Sequence, residues 1–156
     1  MNRKKYYLRP DGISLVELLM ALSIIAVLAS AAALSFRSSI AQAELQQAAD
    51  RFSADLRWVR EQAVNEQQTY SVMIDTSNRS YQAVGVKNLV NDRDISVNLA
   101  APPYRLSSLD AFPEGTNVVT FDARGYASPA GDIILRRGAK QITIKIHEIG
   151  QIEQTK

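Results

Sequence analysis

The chain contains no cysteine, which excludes disulfides, thiolate metal sites and a cysteine nucleophile. The compartment stays open, because exported domains also fold without disulfides. Histidine occurs once, at His147. A lone histidine beside Glu148, with no nucleophile or metal partner in the pattern, reads as structural or exposed rather than catalytic. The sequence has no G-x-S-x-G, H-E-x-x-H, G-x-G-x-x-G or phosphate-loop motif, so neither enzymatic activity nor a cofactor is expected. Asp92, Asp94 and Asp110 lack the spacing of a calcium loop and read as a solvated loop; no metal site is expected. Asn78-Arg79-Ser80 fits a glycosylation sequon, a short match within a turn. Internal repeats and low-complexity segments are also missing.

At 156 residues the chain has room for one domain and an N-terminal segment. The formal charge of +2 and pI near 9.0 come from the start of the chain. Arg3, Lys4, Lys5 and Arg9 precede Gly12 against one acid, Asp11. Without them the 18 basic and 16 acidic side chains reduce to a nearly neutral, slightly acidic remainder. The overall pI is therefore no argument for nucleic-acid binding.

From Leu18 to Phe36 there is no charge, proline or glycine, and from Ile13 the only charge is Glu17. A helix of about 24 residues at ~1.5 Å each spans ~36 Å, enough for a bilayer core of ~30 Å. Basic residues crowd the N-terminal side and only Arg37 follows closely. The positive-inside rule places the N-terminus in the cytoplasm and the bulk of the chain beyond the membrane. A carboxylate about four residues inside such a segment is costly unless it has a partner and a role.

Three readings compete for this segment. A secretory signal peptide would use the small-residue sites Ala29-Ser30-Ala31 or Ala31-Ala32-Ala33 and release a soluble exported domain. Glu17 and the length of the apolar run oppose that reading. A plain anchor leaves Glu17 unexplained. The third rests on Gly12-Ile13-Ser14-Leu15-Val16-Glu17-Leu18-Leu19, which resembles the processing site of type IV prepilins and type II secretion pseudopilins.

That resemblance implies cleavage by prepilin peptidase between Gly12 and Ile13, on the cytoplasmic side, and methylation of the new Ile13 amine. It makes Glu17 the fifth residue of the mature chain, the assembly residue, paired with the N-terminal amine of a neighbouring subunit. Ile13 stands where phenylalanine is commoner, and Asp11 makes the leader less purely basic. In a dry helix bundle an unpaired carboxylate costs several kcal/mol, so the pair would act on register more than on net stability.

The helical pattern continues. Leu45, Ala48, Phe52, Leu56, Val59 and Ala63 step by three or four residues along one face. One helix is predicted from about Ser14 to Glu66, its second half packed on a sheet. Trp58 reads as a core-flanking aromatic. Then the period changes. Tyr70–Asp75 and Tyr81–Val86 read as a hairpin around the turn Thr76–Arg79. Lys87 to Ser108 is polar and irregular, with a strand at Ile95–Leu99 and a loop at Pro102-Pro103. Val118–Phe121, Asp132–Arg136 and Gln141–His147 read as strands. Gly125 and Gly150 suit tight turns with positive φ, and Phe121 suits a half-buried strand. The predicted class is α+β: a long N-terminal transmembrane and amphipathic helix packed on a mostly antiparallel sheet.

Leu56-Arg57-Trp58-Val59-Arg60-Glu61-Gln62-Ala63, Val119-Thr120-Phe121-Asp122-Ala123-Arg124-Gly125 and Ile142-Thr143-Ile144-Lys145-Ile146 are similar to segments of the pseudopilin H and FimT-like group. The resemblance implies a pilin-like fold with a leader at 1–12, a transmembrane and filament-core helix at 13–36 and a periplasmic domain at 37–156. It implies a minor subunit of an inner-membrane filament whose partners are other pilins or pseudopilins, the peptidase and the assembly platform. Type II secretion is the leading placement and a type IV pilus, priming assembly or binding DNA, the alternative. For nucleic acid the candidate cations are Arg136, Arg137, Lys140 and Lys145 on one hairpin. One charged turn is not an extended basic stripe, and Gly150-Gln151-Ile152-Glu153 stands where a DNA-binding relative would carry arginines, so a solvated hairpin is preferred. The stretch Lys87–Pro113 is a candidate contact surface.

Overall fold

The computed structural model describes residues 14–87, 94–112 and 116–155, the side chains at 31–35 and 37 excepted. The helix α1 runs Leu15–Glu66. The strands that follow are β1 (Tyr70–Asp75), β2 (Ser80–Lys87), β3 (Asp94–Asn98), β4 (Ser108–Ala111), β5 (Val118–Phe121), β6 (Ala127–Ser128), β7 (Gly131–Arg137), β8 (Lys140–Ile146) and β9 (Ile152–Thr155). The chain divides between Ser38 and Ser39 into two units.

In the first unit α1 exposes its apolar side chains, among them Leu15, Leu18, Leu22, Ile25 and Leu28. The hydroxyls of Ser23 and Ser30 donate to the carbonyls of Met20 and Val27, both at 2.7 Å, and so are satisfied within the helix. Among the described residues no helix is long and apolar enough to cross a membrane. The expected span at 13–36 includes Ile13 and side chains at 31–35 that lie outside them.

In the second unit every residue of the predicted stripe, Leu45, Ala48, Phe52, Leu56, Val59 and Ala63, is at most 1% exposed. Burying each large member contributes about 1.5–3 kcal/mol, which explains why a helix with little else in common with its first half stays regular here. The stripe faces two antiparallel sheets rather than the one expected. The first has the order β3-β2-β1-β5-β6, the second β4-β7-β8-β9.

Register puts one row of each sheet into the core. Val72 lies opposite Ala83 and Val119, Ile74 opposite Tyr81, and Tyr70 opposite Phe121. Ile133 and Leu135 lie opposite Ile144 and Ile142. Phe121 is fully buried on the inward row of β5, whose residues are buried alternately as a half-buried strand requires. The hairpin β1–β2 and the strands β5, β7 and β8 fall where the alternation places them. Strands β4, β6 and β9 are additions, and β4 makes the end of the Lys87–Ser108 region regular through its pairing with β7.

Candidate functional site

Gly12 and Ile13, the expected cleavage and methylation residues, lie outside the described residues. Glu17 is placed in the first turn of α1. There the helix dipole favours a negative charge. Its carboxylate is exposed between apolar neighbours, beginning with Leu15, Val16 and Leu18. No hydrogen bond or ion pair reaches it among the described residues.

The four hairpin cations do not act as a set. Arg136 is paired with Asp110 on β4. The Arg137 guanidinium lies 2.5 Å from the Glu44 carboxylate and donates to the Arg105 carbonyl. Arg105 itself lies 3.7 Å from Glu44. Lys145 faces solvent on β8 with Asp132 and Glu153 as its cross-strand partners. Lys140 opens β8 at the turn, half-exposed. Carboxylates therefore accompany three of the four cations.

His147 has its Nε2 3.4 Å from Glu153, an ion pair only when the ring is protonated, and that nitrogen is buried without a hydrogen bond. Among the described residues no group of three or more acids or histidines could hold a metal. Asp92 lies outside them; Asp94 is exposed on β3. Asn78 of the sequon hydrogen-bonds Asp75 through both its backbone and its side-chain nitrogen.

Two helix arginines tie α1 to the C-terminal turns. Arg57 donates to the Ile152 carbonyl at 3.1 Å, and Arg60 to the carbonyls of Gly125 at 3.0 Å and Ile149 at 3.4 Å. Trp58 flanks the core as expected and donates to the Lys87 carbonyl. Asp55 accepts from Arg51 at 2.9 Å and from the Tyr81 hydroxyl at 2.6 Å, while Tyr81 stacks on Phe52 with ring centroids 4.1 Å apart. Burial, followed by the Asp55 charge, pushes the Tyr81 phenol well above its ordinary range.

A helix that is apolar in one half, carries a lone acid in its first turn and packs its other half under antiparallel sheets defines a pilin-like subunit. Residues 48–150 match the family of type II transport protein GspH, and residues 9–33 the prokaryotic N-terminal methylation motif. The chain belongs to the GspH family, that of minor pseudopilins and minor pilins of type II secretion systems and type IV pili. Among solved structures it resembles the type IV minor pilin FimU of Pseudomonas aeruginosa, with a TM-score of 0.57 and 19% identity over 74% of this chain and 90% of that one. It also resembles the minor pseudopilin EpsH of the Vibrio cholerae type 2 secretion system, with a TM-score of 0.54 and 21% identity over 72% and 96%. No curated protein sequence matches the chain.

Proposed function

We propose that this chain is a minor pseudopilin of a type II secretion system, a structural subunit that supports protein export without catalysis. The observation that carries this reading is the match of residues 48–150 to the type II transport family, which takes in most of the β-rich unit. In this account the leader 1–12 is removed after Gly12 and Ile13 is methylated. Residues 13–36 hold the chain in the inner membrane, and 37–156 fold in the periplasm. Glu17 docks the subunit by pairing with a neighbour's N-terminal amine. Its exposed, unpaired position supports that role, because a carboxylate among apolar side chains gains a partner only on assembly. The partners are prepilin peptidase, the assembly platform and other pseudopilins.

Crosslinking the full chain in its native membrane, with mass identification of its neighbours and its own N-terminus, tests this. Pseudopilins of a secretion system as neighbours and a methylated Ile13 start are expected. Pilus subunits instead would move the chain to a type IV pilus. A start near Ala32 with no filament neighbour would make it a released domain.

A further inference from the structure

The β1–β2 hairpin ends in the turn Thr76–Arg79, and a cavity opens on each side of it. One, of about 380 Å³, lies over the outer face of the first sheet beside Met73, Gln82 and Ser96. The other, of about 420 Å³, lies between the turn and β4 and is lined by Thr76, Ser77, Arg79, Ser107, Ser108 and Asp110 among others. Thr76 and Ser77 line both.

The turn is fixed from within. Asp75 accepts from the Asn78 backbone at 2.9 Å and from its amide at 2.6 Å. Those bonds, the backbone one foremost, hold the Asp75 carboxyl below its ordinary range. Arg79 has φ +52°, and its carbonyl accepts from Leu99 at 2.8 Å. A presented surface this constrained loses little entropy on binding.

The Arg79 guanidinium is loosely held. It reaches the Leu106 and Ser107 carbonyls only at 3.4 Å each, and its Nε is buried without a partner. No carboxylate pairs with it among the described residues. Asp110, in the same cavity, is already held by Arg136. Arg51, Arg105, Arg124, Arg136 and Arg137 all have acids, and Arg57 and Arg60, also without acids, donate to carbonyls and line neither cavity. Five N–H donors in a planar fork suit a carboxylate, and the hydroxyls of Thr76, Ser77 and Ser108 stand beside it.

We propose that Arg79 and the hydroxyls around it form a socket for an Asp or Glu side chain of a neighbouring pilin-like subunit. The charge count favours this occupant. One uncompensated cation balances one carboxylate, whereas a phosphate would bring surplus negative charge against Asp110. The inference rests on the assembly role proposed above and names the surface and chemistry of one contact within it. It places that contact at the hairpin turn, outside the Lys87–Pro113 stretch except where β4 walls the cavity.

The test places a photoreactive residue at Ser77 and, separately, at Leu22 in the apolar helix of the full-length chain in its native membrane. Capture of a pilin-like chain at Ser77, through a peptide containing an acid, is expected. Arg79→Glu should lower that capture at least about tenfold, Arg79→Lys less, because a lysine keeps the charge and loses the fork. Reversing the captured acid to Arg should restore capture by the Arg79→Glu chain, which shows that the variant is folded. Capture at Leu22 but not at Ser77 overturns the socket and leaves the assembly role standing. Capture at Ser77 that Arg79→Glu leaves unchanged, or capture only of lipid, also overturns it. Capture at neither position overturns the assembly role, and the socket with it.

Discussion

Gly150 shows how much one position can carry. Its φ is +75°, and a Cβ there would strike the Gly125 carbonyl and the Arg60 side chain. Gly138 also has positive φ, +60°, but nothing lies within 4 Å of its would-be Cβ. Gly150→Ala should therefore destabilise by more than about 2 kcal/mol and Gly138→Ala by about 1 kcal/mol, read as midpoint shifts in urea. The need for positive φ at Gly125 and Gly150 was legible in the sequence. Arg60 as their common neighbour was not, because a helix arginine beside Glu61 has the pattern of a solvated face. The Tyr81 hydroxyl makes a second case. Its bond to the Asp55 carboxylate is worth about 1.5–3 kcal/mol, the loss expected for Tyr81→Phe. Its raised pKa has a sign. Above pH ~10 the unfolded phenol ionises while the folded one keeps its proton, so stability falls as pH rises. The Phe variant should lack that component in unfolding measured between pH 9 and pH 11.

Among the elements, β9 depends most on distant partners. Gln154 donates to the Ser53 hydroxyl at 2.9 Å and to the Ala49 carbonyl at 3.1 Å, and accepts from Gln46 at 3.2 Å. Ser53 is fully buried, so Gln154→Ala strands its hydroxyl and should cost about 1–3 kcal/mol. Amide exchange should quicken in β9 and in α1 around Ala49–Ser53. Adding Ser53→Ala should recover part of the loss, since removing both partners leaves no orphan. Element type followed legibility. The α1 ends were predicted within a residue or so because six stripe residues recur without interruption. Strands β4 and β9 were missed because each buries one apolar residue, Leu109 and Ile152. Alternation over four residues with one inward apolar position carries too little signal. The division into two sheets was not legible either, since it is decided by pairings far apart in sequence, such as β4 with β7.

For the whole molecule, the division at Ser38 and Ser39 separates two kinds of burial. The second unit buries its stripe in its own sheets; in the first, the described apolar residues are left exposed. In the proposed function that exposed surface and Glu17 find partners on assembly, so Glu17→Ala should leave membrane insertion and the folded domain intact and impair co-assembly. Membrane fractionation beside crosslinking to partner subunits checks this; normal co-assembly of the variant would remove the docking role from Glu17. The N-terminal methylation motif was legible because a charge in an apolar run is rare, whereas Arg79 was not, because a cation without an acid looks like any other until its neighbours are placed. The bonds of Gln154 also set a timetable. They close segments 101 to 108 residues apart, so α1 leaves the ribosome long before the strand that locks it. Non-local closure of this kind slows folding. A chain that folds as it is made therefore stays open at the β9 edge, and it seals only once its rear has followed its front out of the ribosome.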